Sequence, residues 1–259
     1  MITLTSDFGL KDPYVAEMKG VILTINPKAA IIDITHDIEK FNIRMAAFIL
    51  ASATPYFPEG TVHLAIVDPG VGTQRRAIII KTRKSFFVGP DNGILILAAQ
   101  SQGIEQAYQL TNPKFMLHRI SSTFHGRDIF APAAAHLEKG VQPTEFGPKI
   151  EDLIKPEFSE VKQRSGSLIG EILHIDAFGN LITNITEKEI VQDQIKKVNI
   201  ELPLISLKLT FGKAYAQAKP KEPIILIGSH GFLEIALNQG DAAKKFHVKP
   251  GDKIAVTAT

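Results

Sequence analysis

The sequence predicts an α/β protein in two parts: a mostly parallel sheet covered by helices, then a smaller β-rich domain that suits a barrel. Three observations predict this. Over residues 1–140, short apolar strand-like runs alternate with apolar stretches of helical length, the pattern of strands joined through crossover helices. From Gly140 to Gly166 the character changes, with Pro143, Pro148 and Pro156 set among charged residues. Beyond that point strand-like runs return and helical signals become few. The expected domains are residues 1–145 and 167–259, joined by a linker over 146–166.

The elements follow in order. Residues 2–5 read as a strand. Asp12 then stands as an N-cap with Pro13 at the first helical position. Met18, Val21, Ile22 and Ile25 recur at helical spacing until Asn26-Pro27 stops the run. Residues 30–34 form the next strand, and 43–53 are apolar over a helical length that ends before Pro55. Strands are expected at 62–67, 77–80 and 85–88, and a helix at 94–99. A further helix spans 128–137, capped by Asp128 and closed by Gly140. In the second part, strands are expected at 167–175, 198–205, 223–227 and 253–257.

Composition removes several function classes. A chain of 259 residues with 44% hydrophobic content is not disordered throughout. A net charge of +2 gives no basic surplus for a nucleic-acid partner. Cysteine is absent, which excludes thiol nucleophiles, disulfides and thiolate metal sites. No apolar run reaches membrane-spanning length, and no basic segment leads an apolar stretch at the start. A cytoplasmic protein with no membrane partner is expected.

Compact polar clusters flanked by glycine mark the whole chain. They are Thr5-Ser6-Asp7-Phe8-Gly9, Val67-Asp68-Pro69-Gly70-Val71-Gly72, Val88-Gly89-Pro90-Asp91-Asn92-Gly93, Thr123-Phe124-His125-Gly126-Arg127-Asp128, Ile175-Asp176-Ala177-Phe178-Gly179-Asn180 and Gly228-Ser229-His230-Gly231. Most follow a strand-like run, and polar groups at strand ends converge on pockets. Asp7 and Asp68 each end a strand, where an α/β sheet binds ligands. A carboxylate there can accept two ribose hydroxyls or act as a base, although Asp-Pro-Gly is equally a turn sequence. Gly70-Val71-Gly72 lacks the third glycine of a dinucleotide fingerprint, since Arg75 holds its place. His125 can move protons near neutral pH; alone, a histidine at such a site is more often a surface or capping residue. No Gly-x-Ser-x-Gly elbow accompanies Ser121 and Ser122. No His-Glu-x-x-His pair is present, and an oxygen-ligand site from Asp7, Asp68 and Asp91 is the one metal reading left. In the second half, Phe178 with Asn180, Ser229, Glu234 and Tyr215 could hold a purine by ring face and amide.

Taken together and in order, these motifs, with Phe178-Gly179-Asn180-Leu181-Ile182-Thr183-Asn184 and Gly231-Phe232-Leu233-Glu234-Ile235-Ala236, resemble the S-adenosyl-L-methionine (SAM) hydroxide adenosyltransferases. These are adenosine-forming SAM hydrolases related to the SAM-dependent fluorinase and chlorinase. The resemblance implies a Rossmann-like first domain, a β-barrel second domain, no cofactor beyond the substrate SAM, and a homotrimer with sites where neighbouring subunits meet. It implies Asp68, Arg75 and His125 as the catalytic set. It implies Asp7 on the ribose hydroxyls, with Asn180, Ser229, Glu234 and Leu237 around the base. Phe124, Phe178 and Tyr215 become walls, and Asp176 meets the methionine ammonium. The halogenating relatives carry tyrosine, threonine and serine where this chain has Asp68, Val71 and Gly126, and a pocket tryptophan for which Phe41 is the expected stand-in.

A halide needs neutral donors. A carboxylate at ~4 Å with an effective dielectric of ~20 opposes it by roughly 4 kcal/mol, which leaves water as the nucleophile. The expected reaction is in-line attack of water at ribose C5′, with methionine leaving as a neutral thioether. The competing readings are a non-catalytic adenosine or SAM sensor, a SAM-dependent halogenase, and a metal-dependent phosphoester hydrolase.

Overall fold

In the computed structural model, residues 1–190 and 197–258 are described. Two units emerge, Met1–Lys155 and Pro156–Thr259.

The first unit contains β1 (Ile2–Ser6), α1 (Tyr14–Ile25), β2 (Ile31–Thr35), α2 (Ile43–Ala53), β3 (Val62–Ile66), β4 (Ala77–Thr82), β5 (Phe86–Pro90), α3 (Ile96–Gln102), β6 (Ile104–Gln109), α4 (Ala131–Glu138) and β7 (Lys149–Ile150). The strands form one sheet in the order β2-β1-β3-β5-β4-β6-β7. β1 and β3 are buried along their whole length, as strands covered on both faces must be. α1 buries Val15, Met18 and Ile22 and lies beside α4, whose alanines allow close approach.

The sheet is mixed, which corrects the expectation of a mostly parallel one. β1 pairs in parallel with β2 and β3, and β3 with β5. β4 is antiparallel to β5 and β6, and β6 to β7. The cause is loop length. Only residues 83–85 separate β4 from β5, and a parallel pair needs a crossover of a dozen residues or more.

Two helix starts also differ from expectation. The cap position of α1 is Pro13, with no side-chain cap hydrogen bond, so Asp12 does not cap it. Asp128 lies inside a wide helical turn, Gly126–Phe130, that leads into α4. It is buried and accepts from the Ser121 amide at 2.7 Å, bracing the preceding loop rather than capping the helix. Gly140, at φ 95°, closes α4 in the left-handed region as expected.

The second unit contains β8 (Lys162–Arg164), β9 (Ser167–Ile175), β10 (Leu181–Thr186), β11 (Lys197–Leu202), β12 (Ile205–Thr210), β13 (Pro223–Ile227), β14 (Phe232–Leu237), α5 (Ala242–Phe246) and β15 (Lys253–Ala258). Its sheet follows the path β12-β11-β15-β9-β10-β14-β13, with β8 beside β9. A bridge between Phe211 and Ile225 brings the two outer strands together, so the sheet is nearly barrel-shaped. The strand expected at 198–205 is instead a hairpin of β11 and β12, turning at Pro203-Leu204. Proline has no amide for the ladder, and the chain turns there. No helix among the described residues is long and apolar enough to cross a membrane.

Candidate active site

The mixed sheet builds the site. Asp68 follows β3, and Asp7 follows β1, at the carboxyl edge of the parallel strands. β4 runs the other way, with Ala77 opposite Pro90 at the end of β5. The residues just before β4, Arg75 and Arg76, therefore arrive at the same edge. The loop between Asp68 and Arg75 is held by Val71 N to Asp68 O at 3.2 Å and Thr73 N to Gly70 O at 3.2 Å. Gly72 has φ 76°, and a Cβ there would stand 2.2 Å from the Ser122 carbonyl. Only glycine lets this loop lie against the segment that carries His125.

Arg75 joins the predicted trio. Its Nε donates to both Asp68 carboxylate oxygens at 2.9 Å, and its Nη2 also meets Asp68 Oδ2. The same Nη2 lies 2.9 Å from His125 Nδ1. A guanidinium has donors only, so Nδ1 accepts and the neutral ring carries its proton on Nε2. The guanidinium sits 5.0 Å from the Phe130 ring centroid, which fixes its plane. Burial, and then the Arg75 charge, lower the His125 pKa below the ordinary histidine value, while Asp68 and Asp128 pull it the other way. The ring is therefore neutral at neutral pH.

Beside the trio lies a cavity of about 590 Å³, lined by the predicted Asp7, Asp68, Phe124 and His125. Phe8, Tyr14, Lys40 and Phe41 line it too. Phe8, Tyr14 and Phe124 meet edge to face, with centroids 5.2 to 5.8 Å apart. Asp7 Oδ2 accepts from the Phe41 amide at 2.9 Å, and Lys40 Nζ donates to the Asp7 carbonyl. Phe41 has φ 65° and an exposed ring. Sequence reading did not single out Tyr14 or Lys40. An aromatic at the first position of α1 carried the only signal for Tyr14.

The second unit holds the remaining predicted residues. Asp176 accepts from the Phe178 and Asn180 amides and from Asn180 Nδ2, each at 2.9 Å. This turn holds Phe178 out with 77% of its surface exposed. Gly179 has φ 81°, and a Cβ there would strike Asp241 at 2.3 Å. Glu234, buried on β14, accepts from Tyr215 Oη at 2.8 Å and lies 3.2 Å from His230 Nε2. Burial, and then the bond to Glu234, raise the Tyr215 pKa, so the phenol stays a donor. Ser229 sits in the turn between β13 and β14, and Leu237 is buried within the unit's apolar core. His230 was not among the sequence candidates, although it stands in the Gly228–Gly231 cluster.

Asp91, the third carboxylate of the metal reading, is held by Arg76 and does not line the cavity. Among the described residues, no group of three histidines or carboxylates is placed to hold a metal ion.

Fold and site define an α/β protein with a carboxylate–arginine–histidine set opening into an aromatic-walled cavity. The family model for the SAM hydroxide adenosyltransferase N-terminal domain matches residues 2–147, and that for the C-terminal domain matches residues 170–255. The chain belongs to this family. It is 39% identical to an (R)-S-adenosyl-L-methionine hydrolase from Thermus thermophilus over 95% of both chains. A crystal structure of an uncharacterized conserved protein from Thermotoga maritima matches with TM-score 0.88 and 39% identity, covering 99% of this chain and 100% of the other. A fluorinase from Actinoplanes is more distant, at 28% identity over 99% of this chain and 97% of its own.

Proposed function

We propose that this protein hydrolyses SAM to adenosine and L-methionine by in-line attack of water at ribose C5′. The observation that carries the reading is the Asp68–Arg75–His125 set beside a cavity large enough for a nucleoside, in a member of the SAM hydroxide adenosyltransferase family. Asp7 takes the ribose hydroxyls, since its Oδ1 makes no hydrogen bond among the described residues while Oδ2 is anchored. Phe124 walls the ribose side. Asn180, Ser229, Glu234 and Leu237 surround the base, with Phe178 and Tyr215 as walls and Asp176 toward the methionine ammonium.

The tautomer favours Asp68 as the proton acceptor. His125 Nδ1 accepts from Arg75, and Nε2 already carries a hydrogen, so the imidazole donates to the attacking oxygen. Asp68 still has lone pairs beyond those Arg75 occupies, and it takes the proton. The oxygen–C5′ bond forms as the C5′–sulfur bond breaks. The electron pair goes to sulfur, which leaves uncharged and needs no acid. Bringing hydroxide character toward a sulfonium disperses charge, so a site that excludes water favours it.

The reading includes a homotrimer, which supplies both residue sets to one site, and a cytoplasmic location. The purified protein with SAM in ¹⁸O-water is expected to give adenosine with one ¹⁸O and unlabelled methionine. Intact SAM despite binding would make the chain a sensor. Sedimentation at the mass of three chains is the matching test of assembly.

A further inference from the structure

The cluster Val88-Gly89-Pro90-Asp91-Asn92-Gly93 touches no part of the cavity, yet its polar side chains are buried or half-buried. Asn92 Nδ2 donates to the carbonyl of Val67 at 2.8 Å. Val67 is the residue before Asp68. Asp91 Oδ2 accepts from Arg76 Nε at 2.9 Å and Nη2 at 2.5 Å, and the Asp91 amide donates to the Arg76 carbonyl at 2.9 Å. Arg76 is the residue after Arg75. One turn thus grips the chain on the near side of the aspartate and on the far side of the arginine. The grip is itself anchored: Asn92 Oδ1 accepts from the Ile94 amide at 3.2 Å, and Asp91 Oδ1 from the Ile154 amide at 3.0 Å.

The backbone is shaped to allow this. A Cβ on Gly89 would stand 2.4 Å from the Ala65 carbonyl, so glycine lets β5 close on β3 just before the turn. Asp91 is only 2% exposed. A buried carboxylate held by two arginine donors and one backbone amide, on a residue whose own amide is also bonded, is restricted to a single arrangement.

We propose that Asp91 and Asn92 are positioning residues for the Asp68–Arg75 pair. Asn92 sets where β3 releases Asp68. Asp91, through Arg76, sets the direction in which the preceding residue projects Arg75. Among the described residues, the six-residue loop between the pair is tied by short turns and lies against the Ser122 carbonyl. With its two ends fixed, Arg75 reaches both Asp68 and His125. The proposal deepens the hydrolase reading and rests on it.

The test compares the wild-type protein with Asn92→Asp, which keeps the shape and loses the amide donor, and with Asp91→Asn. With SAM as substrate, kcat is expected to fall about tenfold to a hundredfold, as for a misplacement of the reacting groups by about 1 Å. KM should stay within about twofold. The His125 titration, followed by NMR, should move up toward the ordinary histidine value as Arg75 draws away, leaving Asp68 and Asp128 as the charges that face the ring. If both buried variants fail to fold, Arg76→Lys, on a partly exposed side chain, carries the same test with the fork removed. Unchanged kcat in a folded variant overturns the proposal, as does a fall in activity that only follows the unfolded fraction with the His125 titration unmoved. Absence of turnover in the wild-type protein sinks the hydrolase reading instead. In that case the NMR titration still decides the clamp: a shift in the variants supports it, and none overturns it.

Discussion

The two units hold their polar groups in opposite ways. In the first, the linked groups come from separate loops: Asp68 and Arg75 from either end of one loop, and His125 from fifty residues further on. In the second, Asp176 is closed within its own turn by Phe178 and Asn180, and Glu234 by residues of its own unit, Tyr215 and His230. The first arrangement links a carboxylate, a cation and a neutral imidazole, of which the carboxylate and the imidazole line one cavity; on the proposed reading it serves proton movement. The second fixes acceptors and rings in a stated shape, which on the proposed reading serves recognition. On that reading, chemistry and selection fall to different stretches of the chain.

The sharpest way to break this division is Asp68→Asn. It keeps the size and removes the base, and kcat for SAM is expected to fall by about 10² to 10⁴ while adenosine binding persists. Steady-state kinetics beside calorimetry reads both. Retained turnover would take the proton away from Asp68. The same division predicts a pH profile. The neutral His125 ring accepts from Arg75 at Nδ1, and its pKa is held below the ordinary value by burial and by that arginine. Activity should therefore be flat through neutral pH and fall only below the ordinary histidine range.

Much of the fold was legible because local signals were strong. The strands at 167–175 and 223–227 and the helix at 43–53 appear with the expected bounds. The mixed sheet was misread although both strands of the hairpin were seen: their short separation was the signal, and alternation elsewhere outweighed it. That error matters, because the reversed β4 is what delivers Arg75 to the carboxyl edge. β6, β10 and β14 were not expected. β14 carries Glu234 in an otherwise apolar run, Phe232–Leu237, buried throughout, and periodicity alone does not announce such a strand. Of the site, residue types in glycine-flanked turns were readable. The aromatic group of Phe8, Tyr14 and Phe124 was not, since only packing brings together residues a hundred apart.

Acid should separate the units. His63, fully buried on β3 between Phe57 and Phe87, has its pKa lowered by burial from 6.5 to about 4. Folding then favours the neutral ring. The stability this confers is complete above pH 6.5 and is lost as pH falls toward 4, by roughly 3 kcal/mol. Hydrogen exchange at pH 7 and pH 4.5 is expected to show the first unit losing protection before the barrel-like unit. His63→Gln should flatten that dependence. Equal loss in both units would show that this histidine does not set the acid limit.

Glu234→Gln tests the recognition side. Hydrogen bonds to a charged group contribute ~1.5–3 kcal/mol, so KM for SAM should rise roughly ten- to a hundredfold with kcat little changed. A fall in kcat at constant KM would move the second unit into the chemistry.

The smallest effect is expected from Tyr215→Phe, and it resolves the most. The phenol donates to Glu234 at 2.8 Å, and its pKa is raised, so it donates at every working pH. Removing the hydroxyl alone should weaken binding about two- to tenfold, the range of one ordinary hydrogen bond, with no new pH dependence. The ring is 43% exposed and remains in place in this variant. Tyr215→Ala removes ring and hydroxyl together. If the alanine variant binds adenosine no worse than the phenylalanine one, Tyr215 acts only by fixing Glu234. If it binds distinctly worse, the ring itself lies against the ligand, and recognition in this unit rests on an aromatic face as well as on a buried acceptor.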